Sequence, residues 1–477
     1  MKRFLFVILC LVSFLSIVNA KTQIEYDWGS YTAPDYILGV GLLDNNIGVL
    51  AHYYDSGSLR YNSFTNDGEA IYNESYDFNG NAFILNNQII LFDYIDNACH
   101  QIIFTKDMQL IKEIEVPSCY FYDGSMIGET DKYYYINELL FDKNTNEFID
   151  VENEIKKHEL YNRYLSFIQT NNHKGIYTTL FEMLKDEYKG TYLSYFSFFK
   201  SIYSDDYQLV DYAQGADGSF GLVLFNSNNY KFETDYYDSN YNLITKITSE
   251  SFNIPRIIIR NGNFYLFEMI ELDVESVDGY DLDFDVIMHE YNSSGKKIDQ
   301  FSLVNIDEKS NYYGDYYNAR EIFDIVETID GFYLVMHKTL APMAMDPVIS
   351  DDQSISYYWP TVQKFNMTYS IETKETESGS ISVDKDSSVT GELIRYNVKP
   401  REGYKLDKVI VTDDSGKIIE INDSSFIMPS SNVIVEAIFV VNNPNTGVFI
   451  SIGASLLFII AAVGIVVLNR TKVQKYE

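Results

Sequence analysis

Along most of the chain one arrangement of apolar and polar positions recurs. An aromatic residue is followed by a polar reversal and, seven places on, by an apolar residue: Phe64 with Ile71, Phe104 with Ile111, Phe141 with Phe148, Tyr203 with Val210, Tyr237 with Ile244 and Tyr291 with Ile298. Phe365 with Ile371 repeats it one place shorter, which makes seven units. Within them Asp67-Gly68, Asp142-Lys143, Asp238-Ser239 and Ser294-Gly295 offer the local hydrogen bonding or positive φ of a tight hairpin. A second reversal precedes each unit, at Asn45-Asn46, Asn86-Asn87, Thr130-Asp131, Lys174-Gly175, Asp217-Gly218, Asn261-Gly262 and Asp330-Gly331. Apolar strand-like runs such as Ile47–Tyr53, Phe220–Phe225 and Phe332–Met336 follow these reversals.

Two reversals per unit imply four strands, and four-stranded units of about 40 residues have the period of a propeller blade. The pattern therefore predicts an all-β fold, a seven-bladed β-propeller over residues 21–372. Six or eight blades follow if the weakest unit, Glu152–Tyr203, is miscounted, because Glu154–Phe167 also reads as a helix. A β-sandwich is the alternative, though the chain is long for one. The spacing between reversals is longest in the fourth, sixth and seventh units, which places insertions on one face, where loop-borne recognition sits.

Beyond a polar linker at 373–378 the pattern changes to short alternating strands across 379–440. Gly403-Tyr404, Gly416-Lys417, Phe426 before Met428-Pro429, and the alternating Val433, Val435, Ala437 and Phe439 resemble the divergent bacterial surface repeat related to the internalin B-type repeat. That resemblance implies a small β-domain serving as a stalk or spacer, without catalytic residues.

The two ends predict export and anchoring. Lys2 and Arg3, the apolar run Phe4–Val18 and small Ala20 make residues 1–20 a signal peptide, with Cys10 inside it. The uncharged run 448–468 is long enough, at about 1.5 Å per residue, to span the roughly 30 Å of hydrocarbon. Arg470, Lys472 and Lys475 in the tail 469–477 then place that tail in the cytoplasm and the rest outside. The linker 441–447 contains Asn443-Pro444-Asn445-Thr446-Gly447, and its order with the span and basic tail resembles a sortase cell-wall sorting signal. Asn443 stands where such signals usually have leucine; the resemblance implies cleavage between Thr446 and Gly447 and linkage to peptidoglycan. The alternative is a polar turn ahead of a retained membrane helix, and both readings leave the chain on the cell surface.

Loss of Lys2 and Arg3 takes the formal charge from -33 to -35, which argues against nucleic acid and favours cationic or neutral ligands. Hydrophobic residues at 46% and aromatic residues at 16% supply core enough for a folded ectodomain. Cys99 and Cys119 survive export; they either pair in a disulfide or stay as separate buried thiols. The histidines are scattered, and no zinc-protease helix, nucleophile elbow or phosphate loop occurs.

Two insertions hold the candidate ligand-binding residues. The sixth unit contributes Asp273, Glu275, Asp278, Asp281, Asp283 and Asp285, oxygen donors that suit Ca2+, although the run lacks the glycine and closing glutamate of a calcium loop and also reads as a solvated acidic loop. No other cofactor is implied. The seventh contributes Tyr357, Tyr358 and Trp359, which suit a sugar face or a protein partner, or simply strand packing. The expected function is a membrane- or wall-anchored surface protein whose propeller binds an extracellular glycan or protein. A surface polysaccharide hydrolase with separated carboxylates and a structural envelope protein without a discrete ligand are the alternatives.

Overall fold

The structure, a computed structural model, describes residues 23–31, 35–53, 58–76, 80–119, 126–251, 253–271, 284–303, 317–340, 358–374, 376–413 and 416–442. Strand β1 (Gln23–Tyr31) opens it. A four-stranded meander follows, β2 (Asp35–Leu43), β3 (Asn46–Tyr53), β4 (Leu59–Phe64) and β5 (Ala70–Tyr76). The next has the same order: β6 (Asn81–Leu85), β7 (Gln88–Ile95), β8 (Ala98–Phe104) and β9 (Leu110–Val116). A third sheet has three strands, β10 (Ile127–Glu129), β11 (Tyr133–Ile136) and β12 (Leu139–Asp142), with Phe148 bridging back to Phe141 where a fourth would lie.

Helices interrupt the series: α1 (Val151–Lys156), α2 (Tyr161–Gln169), α3 (His173–Leu184) and α4 (Tyr192–Ile202). Sheets then resume with β13 (Tyr207–Gln214), β14 (Phe220–Asn226), β15 (Lys231–Tyr237) and β16 (Leu243–Thr248). The fifth sheet contains β17 (Arg256–Arg260), β18 (Asn263–Glu271), β19 (Phe284–Tyr291) and β20 (Lys297–Ser302). In the last sheet β21 (Tyr317–Glu327), β22 (Gly331–Leu340) and β23 (Tyr358–Lys374) lie in order, and β1 pairs antiparallel with β23.

The recurrent aromatic position has a physical cause. In the fourth, fifth and last sheets it lies directly across from an aromatic residue at or near the start of the second strand, and in the first two it faces Ile47 and Ile89. Thus Tyr237 stacks on Phe220 at 5.0 Å, Tyr291 on Phe264 at 4.5 Å and Phe365 on Phe332 at 5.3 Å. The polar residue after the aromatic then builds the hairpin. Asp238 Oδ1 accepts the N–H of Asn242 at 2.9 Å, Asn292 Oδ1 that of Lys296 at 3.0 Å, and Thr65 Oγ1 that of Glu69 at 3.0 Å. Each of these turns places its fourth residue at positive φ, Tyr241 at 66°, Gly295 at 77° and Gly68 at 84°, and the register shifts by a bulge beside the aromatic.

One of the seven expected units is not a blade, and the last is completed differently from the expectation. Lys174-Gly175 lies in α3, where Asn172 Oδ1 caps the helix by accepting the Gly175 N–H at 3.0 Å, and Tyr203 follows α4. The aromatic residues there are spaced for a helix: Tyr195, Phe198 and Phe199 share one face of α4 and bury it against Phe220, Leu222 and Tyr237. Phe365 and Ile371 both lie within the unbroken β23, and the strand at its edge comes instead from the start of the chain.

The sheets pack in succession. Buried clusters join the first to the second, the second to the third, the fourth to the fifth and the fifth to the last, while α3 and α4 fill the space between the third and fourth. Tyr333, Val335 and Val362 of the last sheet pack on Ile37, Val40 and Ile47 of the first, so the series returns to its start. First strands face one another: β2 contacts β6 and β21, and β17 contacts β13 and β21. The fold is therefore mostly β and propeller-like.

The C-terminal strands are β24 (Gly379–Val383), β25 (Ser387–Val389), β26 (Leu393–Pro400), β27 (Tyr404–Asp413), β28 (Ile418–Ile419), β29 (Ser425–Ile427) and β30 (Val433–Val441). They are joined rigidly to the last sheet, because β23 runs on through Thr373 and Lys374 and pairs in parallel with β30. One buried cluster holds Phe332 and Phe365 together with Ile394, Val411, Phe426 and Val435. Among the described residues no helix is long and apolar enough to cross a membrane. The expected span 448–468, the signal 1–20 and the motif at 443–447 lie outside the described residues.

Candidate functional site

The first strands of four consecutive sheets, β10, β13, β17 and β21, enclose a cavity of about 240 Å³. Charged side chains reach it because these strands are irregular. The register of β13 against β14 shifts between Leu209 and Asp211, and that of β21 against β22 between Ile322 and Asp324. A bulge re-aims the side chain that follows it. Asp211 and Asp324 thereby line the cavity with Glu327, Glu129 and Arg256. The turn at Gly190, φ +84°, closes one side, and a Cβ there would collide with Gln214 Oε1.

Hydrogen bonding in the cavity is sparse. Asp211 Oδ2 accepts the Ile257 N–H at 3.2 Å, and its Oδ1 stands 3.7 Å from Arg256 Nη1. Arg256 spends Nε on the Ile322 carbonyl at 3.3 Å. Asp324 Oδ1 accepts the Ile325 N–H at 2.7 Å. Glu129 is paired with Lys143 at 2.8 Å. The backbone of Glu327 pairs with Phe332, and its carboxyl takes part in no hydrogen bond or salt bridge among the described residues. The nearby Arg260 is engaged by the carbonyls of Gly331, at 3.2 Å, and Ile329.

Enclosure by protein disfavours the ionised forms. Burial pushes the Asp211 carboxyl up to about 7 against the pull of Arg256. Glu327 is exposed as a residue, yet the protein around its carboxyl raises it to about 7 against Arg260. Asp324 is raised in the same way, opposed by Arg256. Tyr135 and Tyr212 stack at 6.2 Å on the wall, their hydroxyls raised by burial. Such a site offers carboxyl oxygens and few donors.

The residues expected from the sequence fall elsewhere. Asp278, Asp281 and Asp283 lie outside the described residues, as do Asp273, Glu275 and Tyr357. Asp285 is buried in β19 opposite Ile270, and among the described residues no three His, Cys, Asp or Glu side chains converge to hold a metal ion. The backbones of Tyr358 and Trp359 belong to β23, paired with Thr339 and Lys338. Cys99 and Cys119 are free, buried thiols in one cluster. Cys119 Sγ donates to the Asp93 carbonyl at 3.1 Å, and burial, with Cys99 beside it, pushes that thiol up to about 12.

The cavity residues were missed because they are spread over distant strands. The available signal was a carboxylate inside an apolar strand, as in Ile322-Phe323-Asp324-Ile325-Val326-Glu327.

Residues 369–443 match the divergent InlB B-repeat domain, a bacterial surface repeat, which points to a cell-surface location. No curated protein matches the chain. Among solved structures, a member of the DUF4221 family from Bacteroides vulgatus aligns at 8% identity and TM-score 0.35, covering 73% of this chain and 99% of that one. The PQQ-bound aldose sugar dehydrogenase of Streptomyces coelicolor aligns at 9% identity and TM-score 0.35, covering 72% and 99%. The β-propeller domain of the trilobed protease from Pyrococcus furiosus aligns at 7% identity and TM-score 0.18, covering 86% and 99%.

Proposed function

We propose that the protein is an exported bacterial surface protein whose six-sheet propeller binds an extracellular glycan or protein, with part of that ligand entering the axial cavity. The observation that carries this reading is that Asp211 from one sheet and Asp324 and Glu327 from another line one cavity, two of them re-aimed by bulges. Carboxylates held in a cavity with few hydrogen-bond partners cost stability, and ligand recognition is a reason to keep them. The matched surface repeat supports display outside the cell, as do the signal-like start and the apolar run 448–468.

Two measurements test the reading. Protease added to intact cells is expected to release peptides from residues 23–442; peptides that appear only after lysis would contradict surface display. A glycan and protein array probed with the purified full-length chain is expected to give a saturable ligand whose binding Asp324→Asn weakens. Saturable ligands that ignore this substitution would place recognition elsewhere, and an array without any would contradict the binding function.

A further inference from the structure

We propose that the axial cavity is a subsite for one protonated amine or guanidinium group on the ligand. This rests on the axial-site reading above and supplies its chemistry.

The first argument is charge. Of the cations near the cavity, Lys143 is taken by Glu129, and Arg260 is held by the Gly331 and Ile329 carbonyls. Arg256 is shared between Asp211 and the Ile322 carbonyl. Asp324 and Glu327 are left without a salt bridge among the described residues. Asp324 accepts one hydrogen bond, from the N–H of its own neighbour Ile325, and the Glu327 carboxyl accepts none. A cationic group entering the cavity would supply the charge partner that these two carboxylates lack among the described residues.

The second argument is shape. The carboxylates belong to β13 and β21 and do not gather as three donors around one point, so a compact divalent ion finds no ligand set among the described residues. An ammonium or guanidinium has donors pointing several ways and can address separated oxygens. The volume of about 240 Å³ lies below the range of drug-sized pockets and suits a side-chain-sized group.

The test is calorimetric titration of the full-length chain in detergent with Nα-acetyl-lysine methylamide, Nα-acetyl-arginine methylamide, neutral Nα-acetyl-norleucine methylamide and calcium chloride. At least one cationic probe is expected to bind at one site per chain, roughly tenfold or more tighter than the norleucine probe. Its affinity is expected to rise from pH 6 to pH 8, as Asp211 and Glu327, both near 7, release their protons. Glu327→Gln is expected to weaken the probe roughly tenfold without lowering the thermal midpoint at pH 8, because the carboxyl makes no hydrogen bond to lose.

Equal binding of the neutral probe, an unchanged affinity in Glu327→Gln, or displacement of the amine by stoichiometric calcium would overturn the proposal. If an array ligand depends on Asp324 but no cationic probe binds or competes with it, this inference fails while the axial-site reading stands. If array ligands ignore Asp324, both fail.

Discussion

At the scale of the residue, the hairpins that follow each aromatic depend on a side-chain acceptor and one left-handed position. Gly295 has φ 77°, and a Cβ added there would meet the Thr245 side chain at 2.5 Å. Gly295→Ala should therefore cost about 1–2 kcal/mol from the backbone alone, and more from the collision, read as a lowered midpoint in urea. A second residue links two sheets. Glu268 receives His289 Nε2 at 2.7 Å and the Ser249 hydroxyl from the end of the preceding sheet. Burial alone would raise this carboxyl, but the bonds from His289 and Ser249 outweigh it and hold it below the ordinary range. Such a lowered group stabilises the fold above its unfolded value, near 4.5, and the contribution is lost as pH falls through the folded value. Glu268→Gln should lose about 2 kcal/mol at pH 7 and show a shallower fall in thermal midpoint from pH 5 to pH 3 than the parent. Parallel pH profiles would rule out this account of Glu268.

At the scale of the element, the reversals at Asn45-Asn46, Asn86-Asn87, Thr130-Asp131, Asp217-Gly218, Asn261-Gly262 and Asp330-Gly331 all join a first strand to a second, as their sequence pattern requires. Lys174-Gly175 satisfies the same pattern inside α3, because glycine after a helix cap and glycine in a hairpin look alike when read locally. Tyr203, the aromatic position expected of that unit, instead caps the C-terminus of α4, its N–H bonded to the Phe199 carbonyl. Thr191 fixes the start of that helix: its Oγ1 accepts the Ser194 N–H at 3.4 Å and donates to the Tyr188 carbonyl at 2.8 Å, fully buried. Thr191→Ala should cost about 1–2 kcal/mol, measured by denaturant unfolding, and should loosen the contact of Phe198 with Tyr237. The carboxylates of the cavity were not legible, because a bulge, rather than strand alternation, decides where Asp211 and Asp324 point.

At the scale of the whole molecule, the C-terminal repeat is part of the folded body and not a loose stalk. Its β30 extends the last sheet through Ile371 and Thr373, its core is continuous with Phe332 and Phe365, and Asn432 Oδ1 accepts the Ser370 N–H at 2.8 Å. The chain should unfold in a single transition, and a stop after Lys374 should lower its midpoint by uncovering the β23 edge; two independent transitions would contradict a shared core. The circular closure was the part least visible in the sequence, because the fourth strand of the last sheet is supplied by residues at the other end of the chain. That closure completes the ring of sheets, and it can be measured directly. Glu25 and Asn366 are register partners across β1 and β23. With Cys99 and Cys119 replaced by Ser, cysteines placed at positions 25 and 366 should be joined within one chain by a short bis-maleimide, giving a compact, faster-migrating band in denaturing gels. Failure to cross-link in the folded protein, or cross-links only between separate chains, would contradict a ring closed by its first strand.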